Sequence, residues 1–322
     1  MRCDTGVITL VAITRRRSGV HRRTDVNIHV VDGTYELFRH FYAVPRRQDT
    51  DGNEIGAVRG VVSSVLALLR DGATHIAVAT DHVVESFRND LWHGYKHGEG
   101  IDPELLAQFQ PVEVVLRAMG ILVWGMVEFE ADDAMAAAAA KLTADPDIER
   151  IYLCTPDKDL AQCVVGNRVV QFDRRAGEIR DAAAIEERFG VPPSAIPDYL
   201  ALVGDSADGF PGMRGWGAKS TATVLAHYGF LEQIPHDVEQ WTVAVRGAAR
   251  LADALRDGWE DAILFRDLAT LRTDAVAIEG TEALRWRGPT AAFTEVAQRL
   301  GAPELAQRAY RLATERGLQS GG

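Results

Sequence analysis

Apolar runs of strand length alternate with amphipathic stretches through the first half of this chain, and nearly every run stops at an acid. Val26-Asn27-Ile28-His29-Val30-Val31 ends at Asp32-Gly33, and His75-Ile76-Ala77-Val78-Ala79-Thr80 ends at Asp81. Ile121-Leu122-Val123-Trp124 leads to Glu128-Phe129 and on to Glu130-Ala131-Asp132-Asp133. Ile151-Tyr152-Leu153-Cys154-Thr155 ends at Pro156-Asp157-Lys158-Asp159, and Val164 to Phe172 reads as one more strand. Helical stretches lie between them. One carries Leu37, Phe38, Phe41 and Tyr42; others run from Val58 to Leu69 and from Pro111 to Met119. This alternation selects an α/β domain with a mainly parallel sheet flanked by helices. In such sheets ligands bind outside the carboxyl ends of the strands. One aspartate after a strand is ordinary turn chemistry. Four strand exits delivering acids to one edge are not. Such a cluster is too costly without cations among the carboxylates, and divalent ions held by oxygen ligands resolve it.

Glu130 to Asp133 opens a strong helix former, Ala134 to Leu142. Acids in a first turn are favoured by the helix dipole, so the stretch also reads as a well-capped helix. Glu130 and Asp133 share a face, while Asp132 is rotated about 100° from Asp133.

The chain has 322 residues, a net charge of -11 and three cysteines, Cys3, Cys154 and Cys163. The acidity argues against a generally basic nucleic-acid coat but not against an enzyme that needs a knot of carboxylates. No C-x-x-C pair occurs, so neither a disulfide framework nor a zinc site is indicated, and a reducing cytoplasm fits. No apolar run is long enough to span a membrane. Residues 1–25, with Arg15-Arg16-Arg17 and Arg22-Arg23, read as a basic, poorly ordered tail.

Two stretches carry further chemistry. Residues 82–110 interleave Phe87, Arg88, Trp92, Tyr95 and Lys96 with glycines, a composition suited to a mobile segment that touches nucleic acid by stacking and charge, and equally to a surface loop. Gly204-Asp205-Ser206-Ala207-Asp208 adds two acids and is followed by Gly212-Met213-Arg214-Gly215-Trp216-Gly217, with Lys219 and Ser220 opening a helix. Glycines let a backbone approach phosphate, and helix-terminal amides bind it without reading bases. The remainder is expected to be helical, over Trp241 to Leu255, Trp259 to Leu271 and Phe293 to Leu312.

Taken in order, Val31-Asp32-Gly33, Ser86-Phe87-Arg88, Tyr95-Lys96, Glu130-Ala131-Asp132-Asp133, Thr155-Pro156-Asp157-Lys158-Asp159-Leu160, Gly204-Asp205-Ser206-Ala207-Asp208 and Leu268 to Asp274 resemble the bacterial and phage 5′-nucleases. That family includes flap endonucleases and the 5′-nuclease domain of DNA polymerase I. The resemblance implies a PIN-like catalytic domain over 26–195, with an arch near 82–110, and a helical helix-hairpin-helix domain with C-terminal helices over 196–322. It implies a first metal site from Asp32, Asp81, Glu130, Asp132 and Asp133, and a second from Asp157, Asp159, Asp205 and Asp208. Lys96 would reach the scissile phosphate and Arg88 would support it. Gly212, Arg214, Gly215, Gly217, Lys219 and Ser220 would grip a duplex, with Tyr95 as a further DNA contact and K⁺ at the hairpin. Mg²⁺ is the implied cofactor, with Mn²⁺ as substitute. The implied partner is DNA with a free 5′ end or flap, or an RNA primer strand, met by a monomer at the nucleoid. The implied role is Okazaki-fragment maturation and repair.

Two positions depart from the family pattern: Gly209 replaces the common Asn, and Glu99 replaces a basic arch residue. A non-catalytic DNA-structure reader and a PIN-like RNase remain the alternatives. A haloacid-dehalogenase-type phosphatase does not fit, because Asp32-Gly33-Thr34 lacks the required second aspartate.

Overall fold

A computed structural model describes residues 26–318. The tail expected over 1–25 lies outside them. The first lobe contains β1 (Val26–Asp32), α1 (Gly33–Ala43), α2 (Gly56–Arg70), β2 (His75–Asp81), α3 (Arg88–Leu91), α4 (Pro103–Leu106), α5 (Phe109–Ala118), β3 (Leu122–Met126), α6 (Ala131–Leu142), β4 (Ile148–Cys154), β5 (Val169–Asp173) and β6 (Glu178–Arg180). The six strands form one sheet in the order β3-β2-β1-β4-β5-β6. All pairs are parallel except β5 with β6. The chain builds β1 to β3 in one direction, then returns to place β4 on the other side of β1. The switch point therefore lies between β1 and β4, where a parallel sheet opens a crevice at its carboxyl edge.

Period-two burial explains the layering. Val31, Ile76 and Val78 join the core under α2 and α5, whereas Ile28, Val30, Ala77 and Ala79 join the core under α6. The alanines of α6 are nearly all buried, and their small side chains let it lie close against the sheet.

The second lobe contains α7 (Ala182–Phe189), α8 (Ile196–Val203), α9 (Ala218–Tyr228), α10 (Ala248–Asp257) and α11 (Trp259–Ala269) around its own core. After it come α12 (Phe293–Arg299) and α13 (Pro303–Glu315). These do not extend the helical lobe as the expected 196–322 domain has it. Trp286, Phe293, Leu300, Leu305 and Ala309 pack into the core of α2 and α5 in the first lobe. Their apolar faces find that surface through tertiary approach, which periodicity alone does not disclose.

Three local expectations change. The strand expected from Val164 begins at Val169, because residues 164–168 form a turn closed by Val165 N donating to Val169 O. The helix expected from Trp241 begins at Ala248, after Gly247 at a φ of 78°. Residues 82–110 are packed rather than free. Tyr95 joins the second core, Leu105 joins the first, and Trp92 sits edge-on to Phe265 at 5.3 Å.

Candidate metal centre and nucleic-acid interface

Strand exits bring the acids together as local geometry requires. Asp32 ends β1 and caps α1, its Oδ1 accepting from Tyr35 N (2.8 Å) and its Oδ2 from Thr155 Oγ1 (2.9 Å). Asp81 ends β2; its Oδ1 accepts from Ala131 N (2.7 Å), and its own amide donates to Thr34 Oγ1 (2.8 Å). Asp81 is thereby tied to the first turn of α6. Asp132 projects from that turn, and Asp157 follows β4. A cavity of about 430 Å³ is lined by Asp32, Asp81, Glu130, Asp132, Asp157 and Asp208, with Lys96 among them. Beside it, Asp159, Asp205 and Asp208 bring carboxylate oxygens within 4.8 Å of one another.

The electrostatics divide these acids. Burial raises the Asp32 carboxyl to about 7, with Asp81 and Asp157 adding repulsion. Burial likewise raises Asp81 to about 6. Asp132 and Asp159 are pushed well above the usual carboxylate range by burial and by Asp157 next to both. Asp159 Oδ1 is buried without a hydrogen-bond partner. Acids held ionised in such surroundings need a cation, and an all-carboxylate donor set with an unpartnered oxygen fits a hard divalent ion.

Other acids have protein partners. Glu130 accepts from Ser86 Oγ (2.6 Å) and pairs with Lys96 Nζ (2.9 Å). Burial opposes its ionisation, but Lys96 and Arg88 outweigh that and hold its carboxyl below the usual range. Lys96 also reaches Asp208 Oδ1 (3.1 Å) and so bridges the two acidic groups. Lys158, absent from the expected site, pairs with Asp205 at 2.7 Å. Its position between Asp157 and Asp159 was the available signal.

Three expected site residues sit elsewhere. Asp133 is fully buried and does not line the cavity. Its oxygens accept from Arg88 Nη1 (2.7 Å) and Nη2 (2.8 Å), from Glu130 N (3.0 Å) and from Arg272 N (2.8 Å). Arg88 is equally buried and also donates to the Leu268 and Thr270 carbonyls. The pair bolts α6 to the segment after α11, with both Asp133 oxygens and the Arg88 guanidinium engaged inside the protein. Tyr95 is 2% exposed and donates to Glu130 Oε2 (3.3 Å), so its ring is closed to a stacking base.

Gly209 has a structural account. Its φ is 82°, and a Cβ there would stand 2.0 Å from the Gly94 carbonyl oxygen. Trp92 Nε1 donates to Gly209 O (3.0 Å), and Lys96 N donates to Asp208 O (3.0 Å). Any side chain at 209 would lift the Lys96 segment off the acidic loop. Glu99 is exposed and stands 3.9 Å from His97.

The hairpin between α8 and α9 is anchored by buried Met213 and Trp216, the latter donating to Leu251 O (3.1 Å). Arg214, Gly215, Gly217 and Lys219 are exposed around those anchors. The Ser220 hydroxyl is engaged by Gly217, accepting from its N (3.1 Å) and donating to its O (2.9 Å).

Two family models match the chain. One, described as 5'-3' exonuclease, N-terminal resolvase-like domain, covers residues 27–190; the other, 5'-3' exonuclease, C-terminal SAM fold, covers 191–292. DNA polymerase I of Mycobacterium leprae (strain TN) is 34% identical over 263 residues, which are 80% of this chain and 28% of that protein. The chain thus spans little more than a quarter of that relative. A 5'-3' exonuclease of Buchnera aphidicola subsp. Baizongia pistaciae is 29% identical over 78% of this chain and 83% of its own length. Among solved structures, T5 5'-exonuclease with bound zinc superposes with a TM-score of 0.63 at 19% identity, covering 89% of this chain and 99% of that one. The catalytic core of Rad2 in complex with DNA substrate gives 0.55 at 17% identity, over 89% and 92%. These two likenesses speak for the fold.

Proposed function

The chain belongs to the 5′-3′ exonuclease family, and on that premise we propose that it hydrolyses phosphodiester bonds at the 5′ end of DNA with divalent cations. One observation carries the reading: Asp32, Asp81, Asp132, Asp157 and Asp208 open onto one cavity, with burial raising Asp32, Asp81, Asp132 and Asp208. Asp32, Asp81, Asp132 and Asp157, with Glu130, would hold one ion, and Asp159, Asp205 and Asp208 a second. Mg²⁺ is the proposed ion, with Mn²⁺ as substitute, since every donor is oxygen. When bound, such ions supply an activated water and neutralise charge developing on the leaving oxygen.

The chain's own groups do the rest. Lys96 places a positive charge between the two acidic groups and orients the scissile phosphate. Thr155 and the Ala131 amide fix the carboxylates of Asp32 and Asp81. The Arg88–Asp133 bolt holds the first turn of α6 so that Asp132 faces the cavity. The hairpin, with K⁺ in the role the family resemblance implies, holds the duplex through backbone amides that do not read sequence. A 5′ flap or an RNA primer strand would enter the same cavity, and the protein would act as a monomer. Among the described residues no helix is long and apolar enough to cross a membrane.

Cleavage of a 5′-labelled double-flap DNA tests this, with Mg²⁺, with Mn²⁺ and with chelator, beside Asp157→Ala. A labelled flap-length product identifies a flap endonuclease, and labelled mononucleotide identifies an exonuclease. DNA binding with neither product in either metal would sink the catalytic reading in favour of a structure reader.

A further inference from the structure

The acids of the site are not all held in the same way. Asp32 and Asp81 are fixed through their carboxylates, the first by Tyr35 and Thr155 and the second by Ala131. Asp159 is buried, its Oδ1 has no hydrogen-bond partner, and Asp157, Asp208 and Asp205 all repel its charge. Its place is therefore set through the backbone. Asp159 N donates to Asp157 Oδ1 (3.0 Å), and Asp159 O accepts from Gln162 Nε2 (2.8 Å). The neighbouring carbonyl of Asp157 accepts from Gln171 of β5. Two glutamines thus hold the backbone of the loop that carries Asp157 and Asp159.

Gln162 lies in the 3₁₀ turn Asp159–Cys163 and reaches beyond it. The same Nε2 donates to Ala269 O (2.9 Å), at the last residue of α11, and Oε1 accepts from Leu271 N (3.0 Å). One side chain ties the Asp159 turn to the chain leaving α11. That exit is also gripped from the other acidic group. Arg88 donates to Leu268 O and Thr270 O, and Arg272 N donates to Asp133 Oδ1. Residues 268–272 therefore hold two turns in register, the α6 turn that presents Asp132 and the turn that presents Asp159. A helix end leaves carbonyls without intrahelical partners, and a glutamine that only capped α11 would need no more than Ala269 O. It would not also take the carbonyl of Asp159. Paired ions act on one phosphate when they sit about 3.5–4 Å apart, so the placing of one acidic group against the other matters to the chemistry.

We propose that Gln162 is a positioning residue for the second ion, holding Asp159 in place by clamping its turn to the exit of α11. The assignment rests on the two-ion nuclease reading and deepens it, because it names what sets one acidic group against the other. Without the clamp, repulsion from Asp157, Asp205 and Asp208 moves the Asp159 turn outward, while Asp32 and Asp81 keep their own bonds.

The test reads metal binding apart from cleavage. Mn²⁺ is titrated into the full-length protein, and free Mn²⁺ is followed by electron paramagnetic resonance. Asp205→Asn identifies the ion of the second group as the one it weakens. Gln162→Met keeps the length of the side chain and removes its donors and its acceptor. It is expected to bind that ion about tenfold more weakly and the other ion as the wild type does. In steady-state cleavage kcat should fall with KM for DNA unchanged, and raised Mn²⁺ should restore part of the loss. Thermal melts check folding; should Gln162→Met fail to fold, Gln162→Glu carries the test, since it keeps an acceptor for Leu271 N and loses both carbonyl contacts. Wild-type Mn²⁺ affinity in the variant overturns the proposal. So does equal weakening of both ions in step with a lowered melting temperature, or a wild type that holds no ion sensitive to Asp205→Asn. Cleavage by the wild type with unaltered Mn²⁺ binding in the variant leaves the nuclease reading standing and removes the role of Gln162. Selective loss of the second ion, beside a wild type that cleaves no DNA in any divalent metal, does the reverse.

Discussion

Asp132 and Asp133 are neighbours in the first turn of α6, and they meet opposite environments. Asp133 points inward to Arg88, which answers both of its oxygens. Asp132 points into the acidic cavity, where burial and the nearby Asp157 and Asp32 push its carboxyl well above the ordinary range. About 100° of helix rotation separates a satisfied acid from an unsatisfied one. The contrast teaches how to read a run of carboxylates. An acid whose two oxygens are both taken up by a buried guanidinium away from the cavity, as at Asp133, maintains the fold. An acid left without a protein cation is available to a ligand.

The sharpest way to break the contrast is Asp133→Asn. It leaves Arg88 buried without its carboxylate and is expected to cost about 3–5 kcal/mol in urea denaturation. Asp133→Leu with Arg88→Met should recover most of that loss. Unchanged stability with abolished cleavage would instead make Asp133 a ligand. Asp132→Asn tests the other side. Single-turnover cleavage should fall by at least about a hundredfold, the upper end of losses seen when groups that merely support a metal ligand are removed. The melting temperature should rise by about 2 °C as repulsion is relieved. A fall in melting temperature would mean that Asp132 is satisfied within the protein after all.

His29 offers a third fate for a buried titratable group. It stacks on Tyr152 at 4.8 Å, its Nδ1 has no partner, and burial, with Arg174 nearby, lowers its pKa from 6.5 to about 4. The unfolded chain takes up this proton before the native one does. Native stability is therefore whole above pH 6.5 and declines as pH falls toward 4. The loss is expected to be about 2 kcal/mol between pH 7 and 4.5. Urea titrations of wild type and His29→Phe at both pH values should show the smaller pH dependence in the variant; parallel losses would remove His29 as the cause. The smallest expected effect is at Gly209. Gly209→Asn forces a Cβ against the Gly94 carbonyl and should cost about 1–2 kcal/mol. Cleavage should weaken with it as Lys96 is displaced. A neutral result would show that the Lys96 segment docks without needing a glycine there.

Much of the fold was legible because its determinants are local. Strand runs ending at Asp32, Asp81 and Asp157 set the parallel sheet and the edge to which acids are delivered. The glycines at 212, 215 and 217 marked the hairpin. Arg88 and Asp133 were legible as charged residues but not as partners, since 45 positions separate them. Tyr95 looked like an exposed aromatic among glycines, and only the approach of the second lobe buries it. Trp286 and Phe293 followed a helical lobe in sequence yet pack on the first.

By itself, then, the sequence determined the strand and helix periods, the strand ends at which acids stand, and the motifs that mark the family. Tertiary structure decided which acids are neutralised by arginine or lysine and which face the cavity. It also decided where the C-terminal helices pack and why residue 209 is glycine. The physical reason is range. Backbone periodicity is written in neighbouring residues, whereas the charge state and accessibility of a side chain depend on groups that only folding brings within a few ångströms.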